Sequence, residues 1–141
     1  MDKIVFDFDG VLCEYHGWRG HDEIGKPIDG MIELVKELYE QGYTLKLSTT
    51  RLNPYPFGEN SLMEGRDEVV ASGKAKEIVM NWLQEQGILH CFKEITGYKP
   101  FGEVYIDDRA LRYDSADWIT HAEKKLIGEL QNKLHLIYEE K

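Results

Sequence analysis

The stretch KIVFDFDGVL, Lys3 to Leu12, sets Ile4, Val5, Phe6, Phe8, Val11 and Leu12 around two aspartates. The apolar run suits a buried strand. Asp7 and Asp9 stand one residue apart inside it, just before Gly10. An ionised carboxylate withdrawn from water is costly unless it is paired, hydrogen-bonded or coordinated to a metal. The plain alternative is a strand that ends in a solvated turn, where Asp and Gly are frequent in any case. The fragment alone does not choose between them.

Working outward, residues 13–30 (CEYHGWRGHDEIGKPIDG) lack helical or strand periodicity and read as a loop. Asp29 suits a helix N-cap. Ile32, Leu34, Val35, Leu38 and Tyr39 then follow a helical spacing up to Gly42, which suits a C-cap. In YTLKLSTTR, Leu45 and Leu47 alternate as in a strand and polar residues take over at Ser48. Residues 52–66 combine Pro, Gly and Asn and read as a second long loop. Ser72 suits a cap for a helix carrying Ala75, Ile78, Val79, Trp82 and Leu83 and ending at Gly87. CFKEIT is a short strand. EVYIDDRA then repeats the opening theme, with apolar residues leading into Asp107 and Asp108. From about 121 to 139, Leu126, Ile127, Leu130, Leu134 and Ile137 share one helical face.

Strands alternating with helices predict an α/β fold with a mostly parallel sheet flanked by helices, one domain over residues 1–141. In such sheets the ligand site lies beyond the carboxyl ends of the strands. Asp7, Asp9, Ser48, Thr49, Asp107 and Asp108 all fall at such ends, so they can converge despite their distance in sequence. Clustered carboxylates repel one another without a cation. Oxygen donors of this kind suit Mg²⁺, which commonly bridges carboxylates and substrate phosphates.

Composition narrows the function classes. The chain has 141 residues, a net charge of -9 and 42% hydrophobic residues. Mean hydropathy is -0.48. No apolar run approaches the roughly 18 residues of a membrane span, and the amino terminus enters a strand pattern directly, so a cytoplasmic protein is expected. The acidic balance argues against duplex nucleic acid as a partner, while a small phosphorylated molecule stays compatible where a metal supplies local positive charge. Cys13 and Cys91 make neither a metal-ligand pair nor a disulfide framework. A homo-oligomer is left open.

Taken together, DFDGV at 7–11, STTR at 48–51, KP at 99–100 and YIDDRA at 105–110 resemble the four ordered motifs of the haloacid dehalogenase-like (HAD) phosphohydrolase superfamily. The first motif alone also fits calcium loops; the four in order are far more specific. The resemblance spans residues 4–110 and implies a Rossmann-like HAD core. It implies Asp7 as a nucleophile forming an aspartyl-phosphate and Asp9 as general acid and base. It also implies Mg²⁺ held by Asp7, Asp9 through its backbone carbonyl, Asp107 and Asp108. Thr49, with Thr50 beside it, and Lys99 would bind the transferring phosphoryl group. Thr49 is preferred to Ser48 because Thr49-Thr50-Arg51 fits the family's T-x-R ending. Arg51 and Arg109 are expected to be solvated.

Neither interval between motifs is long enough for a substantial cap domain, so the chain resembles a capless phosphatase. The loops then become the specificity elements, through His16, Trp18, Arg19 and His21 in one and Tyr55 and Phe57 in the other. Trp18 has a plainer reading as a cover for the core. The nearest resemblance is to small bacterial HAD proteins with IDDRA and a downstream tryptophan, here Trp118. Two rivals come from other classes. A receiver domain uses similar residues but places its acidic pair before the phosphorylated Asp, the reverse of this order. A catalytically silent or regulatory phosphate-binding module would keep the fold without turnover.

Overall fold

Four short apolar runs become strands of one sheet: β1 (Lys3–Phe6), β2 (Thr44–Ser48), β3 (Phe92–Thr96) and β4 (Val104–Ile106). Their spatial order is β3-β2-β1-β4, and every pairing is parallel. Three helices flank the sheet, α1 (Asp29–Glu40), α2 (Lys74–Glu85) and α3 (His121–Glu139). The computed structural model describes residues 2–53, 69–70, 72–110 and 121–139. Most of the 52–66 loop, with Tyr55 and Phe57, lies outside the described residues, as does Trp118. The architecture is α/β and Rossmann-like, and the described residues add no large cap to it.

The pleat explains which residues form the core. Successive strand side chains point to opposite faces, and the parallel register sets Ile4 beside Leu45 and Phe6 beside Leu47 and Ile106. These residues join one buried cluster with Leu34, Val35 and Leu38 of α1, Val79 and Leu83 of α2, and Leu126 and Leu130 of α3. Burying a side chain of this size contributes about 1.5–3 kcal/mol. On the other face stand Val5, Lys46 and Ser48, crossed by the β3–β4 connection. There the Lys46 Nζ donates to the Phe101 carbonyl (3.0 Å) and the Ser48 hydroxyl to the Tyr98 carbonyl (2.7 Å). A Cβ on Gly102 would lie 2.6 Å from Val5, which shows how closely this connection crosses the sheet.

Helix starts differ from the sequence expectation. Ile28, not Asp29, is the N-cap of α1, and Asp29 is the first helical residue. The reason is tertiary. The Ile28 amide is tied to the Leu12 carbonyl at 2.9 Å, and the Ile28 carbonyl accepts from Met31 and Ile32. The chain's entry into α1 is thereby fixed by the end of the first motif. For α2 the N-cap is Gly73 rather than Ser72. The Ser72 hydroxyl donates to the Val69 carbonyl (3.0 Å) and meets the Lys74 amide only at 3.4 Å. At the far end of α1, Gln41 is the cap and Gly42 follows it with φ 92°, the left-handed position that favours glycine. Tyr39, counted on the apolar face, is 43% exposed and sits edge-on to the His90 ring at 5.2 Å.

Candidate functional site

The sheet order reverses between β1 and β4. From β1 the chain first builds toward β2 and β3, then returns to place β4 on the other side. That reversal leaves a crevice beyond the carboxyl ends of the two strands. The Asp7 amide donates to the Ile106 carbonyl at 2.9 Å, so the ladder runs on to the first acid. Asp107 and Asp108 leave the end of β4 beside it. One carboxylate oxygen from each of Asp7, Asp107 and Asp108 lies within 4.8 Å of the other two.

Local backbone makes this approach feasible. After Asp9 the chain turns sharply, with the Val11 and Leu12 amides both donating to the Phe8 carbonyl. Gly10 sits in that turn at φ 82°, and a Cβ there would lie 2.2 Å from an Asp108 carboxylate oxygen. Only glycine gives both the conformation and the space. The Arg109 amide donates to Asp107 at 2.7 Å, and the Phe8 amide donates to Asp7 at 2.8 Å. The Asp7 carboxyl is pushed up to about 7 from its usual 3.8. Burial is the main cause. The Phe8 N–H opposes it, and the charge of Asp107 and the bond and charge of Asp108 add to it. Crowded hard oxygen donors, one of them inclined to hold a proton when no cation is present, fit a Mg²⁺ site.

Asp9 is placed differently. Its carboxylate does not join the other three acids. It accepts two bonds from Arg51, Nε to Oδ2 at 2.7 Å and Nη2 to Oδ1 at 2.9 Å. Arg51, expected in solvent, is only 3% exposed. Its remaining bonds run to the carbonyls of His21 (3.0 Å) and Glu23 (2.8 Å). The guanidinium carbon also lies 5.7 Å from the Phe8 ring centre and 5.1 Å from that of Trp18. The arginine thus ties the β2 end to Asp9 and to the 14–27 loop. The stems of that loop meet where the Glu14 amide donates to the Lys26 carbonyl and Cys13 bridges Pro27.

A cleft of about 200 Å³ opens over these groups, lined by Asp7, Asp9, Tyr15, Trp18, Thr50, Arg51, Asp107 and Arg109. Asp108 is outside that lining; it stands against Gly10 and, with Gly10 and Asp107, lines an adjoining cavity of about 110 Å³. Thr49, the sequence-based choice for phosphate, is 3% exposed and its hydroxyl accepts from the Arg51 amide at 3.2 Å. Thr50 holds the cleft position instead, one residue further on, because the chain leaves β2 in a short 3-10 turn that Thr49 caps. Ser48 is committed to Tyr98. Lys99 is exposed and stands outside the cleft lining, with its ammonium 5.2 Å from the Tyr105 ring centre. His16 and Arg19 line a smaller neighbouring cavity of about 80 Å³. The Cys13 thiol is pushed up to about 12, by burial first and Asp9 second, and so stays protonated. Burial also raises Cys91. Neither cysteine is a candidate nucleophile.

Tyr15 was not singled out by sequence reasoning, and Arg51 and Arg109, which could have served the site, were expected in solvent. The one available signal was Asp9 itself, a carboxylate among apolar residues that demanded a cation. Among the described residues, no helix is long and apolar enough to cross a membrane. No protein-family model matches the chain, and no curated protein matches it. A conserved protein coded by a locus of Bacteroides thetaiotaomicron, known as a solved structure, is 21% identical over 78% of each chain with a TM-score of 0.48. Similarity that slight transfers neither fold nor function.

Proposed function

We propose that this chain hydrolyses phosphate monoesters with the aid of Mg²⁺, as a HAD-like phosphatase. One observation carries the reading. Asp7, Asp107 and Asp108 meet at the point where the strand order reverses, with Asp9 facing the same cleft. Asp7, Asp107 and Asp108 would hold the ion, which supplies charge neutralisation for the phosphoryl oxygens. An Asp7 carboxylate oxygen attacks phosphorus as the bond to the leaving oxygen breaks, which gives an aspartyl-phosphate. Ion-paired to Arg51, Asp9 is favoured as a carboxylate, so it would first take the proton of a monoanionic phosphate ester and then pass that proton to the leaving oxygen. It then takes a proton from the water that releases inorganic phosphate and restores Asp7. Arg51 fixes Asp9 through both oxygens, and each oxygen keeps a second lone pair for that proton. Thr50 and its turn present the β2 end to the phosphoryl group.

The position of Lys99 favours a second reading, a phosphate-binding module without turnover, because the expected phosphate-neutralising ammonium lies over Tyr105 instead. One assay separates the two. An aryl phosphate is offered with Mg²⁺, then with EDTA, to the wild type and to Asp7→Asn. Phosphatase action requires release of phosphate that both EDTA and Asp7→Asn reduce to background. Phosphate binding with no release supports the module, and full activity in Asp7→Asn removes the assigned nucleophile.

A further inference from the structure

The cleft lining holds groups of two chemical kinds. Asp7, Asp9 and Asp107 are acidic, with Arg109 beside them, its amide donating to Asp107 at 2.7 Å; Tyr15 and Trp18 are aromatic and have no part in phosphoryl transfer as proposed. The aromatic part is built with some rigidity. The Trp18 ring rests on the Arg51 guanidinium at 5.1 Å and meets the His21 ring edge-on, with centroids 5.0 Å apart. That guanidinium has spent four of its five N–H groups on Asp9 and on the His21 and Glu23 carbonyls. A ring mounted on so fixed a base gives up little freedom when a second flat group settles beside it. Tyr15 is layered in the same way, with the Arg109 guanidinium carbon 5.5 Å from its ring centre.

Chemistry and size narrow what the aromatic part can receive. A polyol requires several directed hydrogen bonds. Tyr15 and Trp18 offer mainly ring surface, and four of the five Arg51 N–H groups are occupied. The volume of about 200 Å³ is below the roughly 300–1,000 Å³ of sites that enclose a drug-sized ligand. It suits a phosphoryl group and one ring, with any remainder left outside.

We infer that Tyr15 and Trp18 form a leaving-group subsite for an aromatic ring, so that the preferred substrates are phosphate monoesters whose departing group carries a planar ring close to the scissile oxygen. The inference rests on the phosphohydrolase reading and deepens it. A simple aryl group and a nucleobase share this chemistry, so the test includes both.

Steady-state kcat/KM is measured for phenyl phosphate, a nucleoside 5′-monophosphate and glycerol phosphate, using wild type, Trp18→Leu and Trp18→Phe. The quantity read is selectivity, the value for each ring-bearing substrate divided by that for glycerol phosphate, which cancels any general loss of activity between variants. Stacking on an aromatic side chain corresponds to about 5- to 150-fold. Selectivity for at least one ring-bearing substrate is expected to fall by about fivefold or more in Trp18→Leu and to recover in Trp18→Phe. Which substrate loses more tells aryl from nucleobase. Unchanged selectivity with Asp7-dependent turnover overturns the subsite and leaves the phosphatase reading standing. No turnover of any substrate by wild type removes that reading, and the subsite with it. Where Trp18→Leu melts below the assay temperature, Tyr15→Leu takes its place. Mg²⁺-dependent binding of phenylphosphonate no tighter than methylphosphonate by wild type also overturns the subsite.

Discussion

Asp7 couples protons and stability at one carboxyl group, and in the proposed function a metal ion as well. Its pKa rises from 3.8 to about 7 in the folded chain, mainly through burial and then through Asp107 and Asp108. Below pH 3.8 the group is protonated in folded and unfolded chains alike, and its contribution to stability is fully present. As pH climbs, the unfolded chain releases this proton first, so the contribution declines and is lost as pH passes about 7. In the proposed function a divalent cation would replace the proton on the ionised group. Two outcomes are expected from thermal melts in EDTA and in Mg²⁺. Between pH 5 and pH 8 the metal-free wild type loses more melting temperature than Asp7→Asn does. Added Mg²⁺ raises the wild-type melting temperature more at pH 8 than at pH 5. A wild-type profile parallel to that of Asp7→Asn would contradict this account. The acids were legible in the sequence because each ends an apolar run, where a carboxylate is out of place. Which of Thr49 and Thr50 faces the cleft was not legible, because a T-x-R pattern does not reveal how the following turn rotates the two hydroxyls; the turn buries Thr49 and sets Thr50 in the cleft lining.

At the scale of elements, the four strands and the helices α1, α2 and α3 among the described residues were legible from apolar spacing, and the misjudged positions are helix starts. Ile28 and Gly73 cap α1 and α2 although Asp29 and Ser72 are better capping residues by type. A cap preference of about 1 kcal/mol yields where the Ile28 amide is already tied to Leu12. The 14–27 loop was legible only as an absence of pattern. Its order comes from Arg51, whose partners lie 28 to 42 residues away in sequence, and no local periodicity encodes contacts of that span. Replacing the arginine leaves the Asp9 carboxylate and two loop carbonyls without their donors. Arg51→Met is therefore expected to cost about 3–5 kcal/mol in urea unfolding, the scale for removing one partner of a buried pair. It should also speed amide exchange across 14–27 ahead of the sheet. A loss below about 1 kcal/mol, or unaltered exchange there, would show that the loop is held by other means.

The whole molecule carries a net charge of -9 and, in the proposed function, receives an anionic phosphate. The field outside the cleft opposes such a substrate, and the repulsion is screened over about 8–10 Å at moderate salt. Raising NaCl from about 10 to 150 mM at constant free Mg²⁺ is expected to increase kcat/KM for phenyl phosphate, mostly by lowering KM; a decrease would mean that local cations such as Arg109 dominate the approach. The sheet order was the least legible large-scale feature, because β3 and β4 follow each other in sequence yet occupy opposite edges. Only the acids at both strand ends hinted that β1 and β4 are neighbours. One attachment has a consequence for how such a chain can diversify. Arg51 grips the loop at the carbonyl oxygens of His21 and Glu23, groups that every amino acid possesses. That part of the anchorage is independent of side-chain identity, whereas Trp18 on the guanidinium and His21 at the Arg51 carbonyl add contacts that are not. Drift or a mutant library at the exposed His16 and Arg19 can explore new recognition surfaces while the tether beneath them is inherited intact.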